Sequence, residues 1–193
     1  MTDSAEPAAE SRRRWDELSS KQEIRDNLLV YCRGIDRCQV ELVRSAFWPD
    51  AFDNHGALAA PAWQFATEII ESKLAHTTLT VHSVTNHLVE VEGDLAFSEA
   101  IIVSYQKHAG NDDVQIFCGR YVDRVERRDG RWRIAYRNLV HDWSGSLAVG
   151  GTWNLPSVDA KAFIQGGRQE SDLVTGPGRA QMLSPNYPPP TGA

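Results

Sequence analysis

Two residues of this sequence, Asp36 and His82, have the chemistry of a proton-transfer pair. His82 lies in the run VHSVTNH at 81–87, and an imidazole can be unprotonated yet still basic at neutral pH. A histidine base works best beside a carboxylate that fixes its tautomer and stabilises the imidazolium, and Asp36 is the candidate for that role. The residues alone leave two other interpretations open, in which His82 is an ordinary interior side chain and Asp36 caps the helix that follows it.

A break between two predicted helices positions Asp36. Ser20 followed by Glu23 is a capping-box pattern, which predicts that the first helix begins there. Gly34 is a common helix stop signal, so Tyr31 and Asp36 are expected around the C-terminal end of this helix. An aspartate is electrostatically unfavourable at that place, because helix C-termini favour cations. Apolar residues at three- and four-residue spacing support both helices, namely Ile24, Leu28, Tyr31 and Cys32 in the first and Val40, Val43, Ala46 and Phe47 in the second.

Four long β-strands are predicted after residue 77, where β-branched residues become frequent. Short turns separate them, including Asp129-Gly130, which is among the strongest hairpin signals. A short strand and a third helix beginning near Pro61 come before them. Helices are therefore expected on one side of an antiparallel sheet, which is the α+β class, with a cavity where twisted strands curl around the helices. The four strands are predicted at 78–91, 95–107, 114–127 and 131–142.

The alternation of side chains along these strands predicts what faces the cavity. In the first strand it places His82 on one face with Asn86 and Leu88, and His87 on the other. In the fourth strand, Arg137 either points into the cavity or pairs with acidic residues on the sheet, and the sequence does not distinguish the two.

Composition argues against several partners and cofactors. A net charge of −6 over 193 residues gives no reason to expect a nucleic acid partner. No apolar run approaches the roughly 20 residues that cross a bilayer, and the N-terminus lacks the order of a secretory signal. The three cysteines have no metal-site spacing, and no glycine-rich phosphate loop is present. We therefore expect a cytoplasmic protein with no metal, no cofactor and no membrane partner.

Composition also divides the chain into three parts. Residues 1–18 form a polar extension that is expected to be poorly ordered, residues 19–145 contain the predicted helices and strands, and residues 146–193 are rich in glycine and proline. A segment of that last composition cannot build its own core. We expect it to be either a disordered tail or an arm that wraps over the domain or over a neighbouring subunit.

Three separated segments resemble, in order, the SnoaL-like branch of the NTF2-like superfamily: residues 21–52, 81–100 and 119–143. The resemblance covers about residues 15–145. It implies a cone-shaped α+β barrel, with N-terminal helices packed on a curved, mostly antiparallel sheet around one deep apolar pocket. Within the superfamily the sequence is most similar to the hexachlorocyclohexane dehydrochlorinase, scytalone dehydratase and bile acid 7α-dehydratase group, whose members abstract a proton through a His–Asp pair.

This resemblance implies a role for four residues and a place for several others. Asp36, in Gly-Ile-Asp-Arg, and His82, in Thr-Val-His, match the dyad. Tyr31 matches a tyrosine of the dehydratases, where the dehydrochlorinase has a lysine, and Arg137 matches a strand arginine of the dehydrochlorinase pocket. Position alone implies a substrate-binding wall of Trp48, Phe52, Asn86, Tyr105, Phe117, His141 and Trp143.

The function implied is a cofactor-independent lyase of the dehydratase or formaldehyde-releasing type, acting on a hydrophobic or aromatic small molecule. Two alternatives stay open: an isomerase or cyclase that uses the same base, and a non-catalytic small-molecule-binding protein. Relatives with this arrangement are commonly homotrimers, with dimers also found, so the resemblance favours a homotrimer. It does not identify the substrate.

Overall fold

The computed structural model describes residues 5–148, 163–175, 179, 180 and 182–184. Its helices are α1 (Ala5–Asp36), α2 (Val40–Ser45) and α3 (Ala62–His76), and its strands are β1 (Phe47–Asn54), β2 (Ala60–Pro61), β3 (Thr77–Glu92), β4 (Leu95–His108), β5 (Asp113–Arg128) and β6 (Arg131–Ala148). Short 3-10 turns span Gly56–Leu58 and Gln169–Ser171. None of the helices described here is both long enough and apolar enough to cross a membrane.

The strands form one six-stranded sheet in the order β2-β1-β6-β5-β4-β3. Neighbouring strands pair antiparallel except β1 and β6, which run parallel. The edges are β2 and β3, so the curled sheet forms an open cone and does not close into a barrel. The prediction of an α+β fold, with N-terminal helices on a mostly antiparallel sheet, is confirmed.

The first helix begins earlier than the capping-box pattern predicts. It starts at Ala5 and continues through Ser20 without a break. Side-chain pairs four residues apart run across the predicted start, with Lys21 contacting Glu17 at 2.6 Å, and such pairs stabilise a continuous helix modestly. Ser20 itself is buried inside the helix. The part of the polar extension from residue 5 onward is therefore helical, and the predicted start at Ser20 is wrong.

The main core lies between the three helices and the inner face of the sheet. Tyr31, Phe47, Phe65 and Tyr121 are each 1% exposed or less. The ring of Tyr31 makes edge contacts with Phe47 and Tyr121, with centroids 5.6 and 5.5 Å apart. Burying a large apolar side chain typically contributes about 1.5–3 kcal/mol. This packing fixes α1 on the sheet and thereby fixes the end of α1 relative to β3.

A β-bulge in β3 changes which side chains face the helices. The pairing of β3 with β4 shifts register between Val84 and His87, and an extra residue at such a shift breaks the two-residue alternation. Beyond the bulge His87 turns inward, where its Nε2 lies 2.9 Å from Oγ of the buried Ser98. Asn86 is exposed. The expectation that Asn86 shares a face with His82 is therefore corrected.

Part of the C-terminal segment packs back onto the domain. Nε of Arg37 lies 3.0 Å from Oδ2 of Asp172. Arg168 donates to the carbonyl oxygens of Lys73 and Thr77, at 3.2 and 2.6 Å, at the C-terminal end of α3. An arm over its own domain is one of the arrangements expected for this segment. Residues 149–162 and 185–193, to which the expectations of a tail or of contact with another subunit also apply, lie outside the described residues.

Candidate active site

A partly open cavity of about 130 Å³ lies between α1, α3 and the inner face of the sheet. Its apolar wall consists of Ile35, Ile69, Ile102, Phe117 and Leu139. Polar side chains also reach it: Tyr31, His55, Lys73, His82, Ser104, Gln106 and Tyr121. The predicted cavity between helices and sheet is therefore present, and it is more polar than a purely apolar pocket.

Asp36 and His82 are joined by two hydrogen bonds at one wall of this cavity. Nδ1 of His82 lies 2.6 Å from Oδ1 of Asp36, and the backbone N–H of His82 donates to Oδ2 at 2.8 Å. The two side chains are only 7% and 12% exposed. With the Nδ1 proton directed at the carboxylate, Nε2 is the nitrogen left to accept a proton. The structure thus brings together the two residues that the sequence analysis paired.

The turn after α1 holds the Asp36 carboxylate in place. Cys38 adopts a φ of 53°, a left-handed conformation that lets the chain reverse into α2. A Cβ on Gly34 would lie 2.9 Å from the backbone nitrogen of Val43, so the close approach of α1 to α2 requires glycine. The helix end is therefore fixed on both sides, and Asp36 projects from it toward β3.

Pairing across the sheet places His82 in a row with Ser104 and Phe117. His82 lies opposite Ser104 of β4, and Ser104 lies opposite Phe117 of β5. Directly opposed residues of antiparallel strands share a face. Tyr105 is the next residue of β4, so its side chain is on the other face of the sheet, and it lies opposite the exposed Val81. The wall position predicted for Tyr105 is therefore occupied by Ser104.

Tyr31 lines the cavity, whereas Arg137 lies behind it. The guanidinium of Arg137 is 4.2 Å from the ring centroid of Tyr31 and 3.9 Å from that of Tyr121. It is fully buried and donates to both oxygens of Asp123, at 2.8 and 2.7 Å. Burial raises the pKa of Tyr31 above its ordinary value, so its phenol stays protonated and able to donate. Of the two orientations that the sequence left open for Arg137, pairing with an acidic residue is the one observed.

Lys73 is a cavity residue that the sequence analysis missed. It is 8% exposed, and its Nζ donates to Oε1 of Gln106. Burial lowers the pKa of Lys73 to about 8, although the negative charge of Asp36 acts to raise it. The signal was present in the sequence, because Lys73 follows Ile70 by three residues and Ile69 by four and so interrupts the apolar face of α3.

His55 and Asp53 form a second histidine–aspartate pair beside the same cavity. Nδ1 of His55 hydrogen-bonds Oδ1 of Asp53, which is fully buried. The ring of His55 stacks on Phe65, with centroids 4.5 Å apart. Two imidazoles therefore reach the cavity from different elements, His82 from β3 and His55 from the end of β1. No sequence motif singles out His55 as a site residue. Its partner Asp53 lies only two residues earlier, so the pair does not stand out from the local sequence.

Most of the wall residues implied by position lie elsewhere. Phe117 lines the cavity as expected. Trp48 donates its indole N–H to a backbone carbonyl at 3.0 Å, and Phe52 stacks on a neighbouring tyrosine. His141 and Trp143 are exposed, although His141 contacts the Phe117 ring at a centroid distance of 5.2 Å. Within the described part of the chain, no three His, Cys, Asp or Glu side chains are grouped so that they could hold a metal ion.

Sequence similarity identifies the family. The model of the SnoaL-like domain matches residues 16–138, which include Asp36, His82 and Lys73. The chain belongs to the SnoaL-like domain family. The resemblance expected from the three sequence segments is thus confirmed. Curated relatives include the uncharacterized proteins Rv2910c of Mycobacterium tuberculosis and Mb2934c of Mycobacterium bovis, each 30% identical over 125 residues, which is 63% of this chain and 84% of the relative.

Solved structures share the fold of this SnoaL-like domain. A hexachlorocyclohexane dehydrochlorinase (LinA, type 2) superposes with a TM-score of 0.65 at 23% identity, over 75% of this chain and 99% of that one. A scytalone dehydratase-like protein from Novosphingobium aromaticivorans superposes with a TM-score of 0.62 at 18% identity, over 67% of this chain and 88% of that one. The protein Rv3472 of Mycobacterium tuberculosis, whose function is unknown, superposes with a TM-score of 0.58 at 26% identity, over 68% of this chain and 75% of that one. The first two likenesses concern the fold alone.

Proposed function

We propose that this protein is a cofactor-independent lyase that removes water, or formaldehyde, from a hydrophobic, ring-containing small molecule. The observation that carries the proposal is the 2.6 Å hydrogen bond between His82 and Asp36 at the wall of a buried, partly apolar cavity. A histidine–carboxylate pair in such a place is suited to proton abstraction, because the carboxylate stabilises the imidazolium as it forms.

His82 acts as the base through Nε2. The Asp36 carboxylate accepts from Nδ1 and also from the backbone N–H of the same residue. Both bonds fix the carboxylate relative to the ring, so that the tautomer with a free Nε2 is favoured. A positioned general base typically contributes about 10²–10⁴ in rate. Asp36 does not touch substrate in this mechanism and acts on the reaction through His82.

The leaving oxygen takes its proton from the imidazolium that His82 has become. When water leaves, the C–H bond breaks toward Nε2, its electron pair forms the new C=C bond, the C–O bond breaks with its electron pair on oxygen, and the same proton then completes a water molecule. When formaldehyde leaves, His82 takes the proton of the hydroxymethyl O–H instead, the C–C bond breaks as the carbonyl of formaldehyde forms, and the imidazolium returns the proton to the ring carbon. Tyr31, kept protonated by its burial, donates a hydrogen bond to that oxygen or to a carbonyl that collects negative charge. Arg137 positions the Tyr31 ring from behind, at 4.2 Å from its centroid. His55, held by Asp53, is a second candidate donor.

The size of the cavity favours a single ring. Its volume is about 130 Å³, and a cavity of about 150 Å³ is known to hold one benzene molecule. A diaryl compound or a steroid would extend beyond it into solvent. The substrate class that fits best is therefore a monocyclic compound with a hydroxyl or hydroxymethyl group next to an acidic C–H.

The test is a mass-spectrometric screen of monocyclic hydroxy ketones, hydroxymethyl phenols and hydroxy acids with the wild-type protein and two variants. Wild type is expected to release water or formaldehyde from one of these classes. His82→Ala is expected to abolish the reaction, because the base is gone. Asp36→Asn is expected to slow it by about 10²–10⁴, because the imidazolium loses its counter-charge.

A histidine outside the cavity provides the matched control. His76 is exposed at the end of α3, and His76→Ala is expected to leave turnover unchanged. Turnover that survives in both His82→Ala and Asp36→Asn would refute the proposal. Variants that have lost activity must keep the wild-type unfolding midpoint, since otherwise the loss reports on folding.

An isomerase is the second candidate function. The wall carries further proton donors, His55 and Lys73, from which a different atom of the same intermediate can be protonated. The mass of the product distinguishes the two, since an isomerase product keeps the mass of its substrate. A protein that only binds small molecules predicts instead that His82→Ala leaves both ligand affinity and function intact.

A further inference from the structure

Lys73 is a cation buried without a counter-charge of its own. Its side chain turns from α3 into the cavity, where the ammonium donates a hydrogen bond to the neutral amide of Gln106. Among the described residues no carboxylate forms an ion pair with Nζ. Both oxygens of Asp36 accept from His82 instead. An ammonium held this way loses much of its solvation, and only a negative charge that reaches it offsets the loss.

The usual structural reasons for a lysine at this position do not apply. A long side chain at a helix end normally reaches solvent or contacts the last carbonyls of the helix. Here the carbonyl oxygens of Lys73 and Thr77 already accept from Arg168, which approaches from the C-terminal arm. Lys73 is 8% exposed, and it lines the cavity. Neither solvent exposure nor the helix carbonyls therefore explain its place.

We propose that the ammonium of Lys73 binds an anionic oxygen, a carboxylate or a phenolate, of the monocyclic substrate. This inference rests on the proposed function, because it takes the cavity to be the substrate site. Gln106 stands two residues from Ser104 on β4, and Ser104 lies opposite His82. The oxygen held by Lys73 is thus close to the carbon that His82 deprotonates. The substrate class is a ring compound with an acid group adjacent to the reacting C–H.

Protonation of Lys73 makes this binding depend on pH. Burial lowers its pKa to about 8, and the facing charges come from Asp36 at the end of α1, from Cys38 in the turn and from Arg168 in the arm. Below about pH 8 the ammonium is present and anion affinity is constant. Above it Lys73 loses its proton, so affinity should fall by about tenfold per pH unit until the amine is fully neutral in the free and bound protein.

Calorimetric titration with single-ring probes tests the proposal without turnover. The probes are benzoate and 4-nitrophenolate, each compared with a neutral analogue, benzamide and nitrobenzene. Wild type is expected to prefer one of the anions over its neutral analogue by about 10- to 100-fold, the usual value of a charge-assisted hydrogen bond. The anion that is preferred identifies a carboxylate or a phenolate substrate.

Lys73→Met should remove that preference while leaving the affinity for the neutral analogue unchanged. Lys21→Met, which removes an exposed lysine of α1, is the matched control and should keep the preference for the anion. Failure of both anions to bind wild type more tightly than their neutral analogues would overturn the proposal, as would a preference that persists in Lys73→Met. His82→Asn, whose amide can still donate to Asp36, should keep the anion preference while losing turnover, so this test and that of the lyase fail independently.

Discussion

Replacing Asp123 with asparagine is expected to lower the unfolding free energy by about 3–5 kcal/mol. Asp123 and Arg137 are 3% and 0% exposed, and their two hydrogen bonds are 2.8 and 2.7 Å long. The substitution keeps the shape of the side chain but leaves the guanidinium buried without its negative charge. Nη1 of Arg137 already lacks a hydrogen-bond partner among the described residues, so the substitution weakens the pairing of a guanidinium that is only partly satisfied. The expected loss is a large part of the roughly 5–15 kcal/mol that holds a typical domain folded.

The assay is urea unfolding followed by tryptophan fluorescence. Asp112→Asn, in the exposed loop between β4 and β5, is the matched control and should change stability by less than about 0.5 kcal/mol. Replacing both partners, with Arg137→Met and Asp123→Leu together, should recover much of the loss, since a buried pair can often be exchanged for apolar side chains. A cost below about 1 kcal/mol for Asp123→Asn alone would refute the assignment of Arg137 to a structural ion pair.

Three further outcomes are expected. Gly119→Ala should destabilise the protein by about 1–3 kcal/mol in thermal unfolding, because a Cβ there would lie 2.2 Å from the carbonyl oxygen of Val140, and an unchanged midpoint would contradict this contact. His55→Gln should slow turnover of an identified substrate by about 10²-fold if His55 supplies a proton, whereas an unchanged kcat leaves Tyr31 as the donor. Sedimentation equilibrium should give three chains of 21.5 kDa, and a monomer would refute the homotrimer expected from the family resemblance.

The sequence predicted the pair Asp36 and His82 because local rules decide where each residue lies. Helix periodicity and Gly34 placed Asp36 at the end of α1, and the β-branched run placed His82 in a strand. What joins them is the packing of α1 on the inner face of the sheet, which any apolar face of α1 would favour. These rules predict where each residue lies, but the residues alone left other interpretations open, and the family resemblance is what selected the dyad.

The wall of the cavity was predicted poorly because it depends on register. Two-residue alternation fails at the bulge after Val84, and this moves Asn86 to the outer face. In β4 an error of one residue in the alternation of side chains puts Tyr105 on the inner face, where Ser104 lies instead. Neither shift leaves a local mark in the sequence, because both are set by how neighbouring strands pair. The wall residues carried over by position were mostly aromatic, and of these only Phe117 lines the cavity, beside four aliphatic residues.

Polar residues on apolar faces were the more informative signal. Lys73 and Ser104 each interrupt a run of buried positions, on α3 and on β4, and both reach the cavity. Arg137 interrupts β6 in the same way but is paired with Asp123 on the adjacent strand. The sequence does not distinguish a polar residue that lines the cavity from one that forms an ion pair on the sheet. The difference depends on whether an opposite charge lies close to it in three dimensions.

The charge on Lys73 should matter more as the reaction proceeds than when the substrate first binds. As His82 removes the proton, negative charge moves from the C–H bond onto the oxygen that Lys73 holds, so the attraction grows toward the transition state. Lys73→Met should therefore raise KM, through the lost ion pair, and also lower kcat, through the lost stabilisation of developing charge. A rise in KM with kcat unchanged would mean that Lys73 binds substrate and transition state equally. The anionic group would then lie too far from the reacting carbon to share its charge, and the placement of the acid group next to the C–H bond would be wrong.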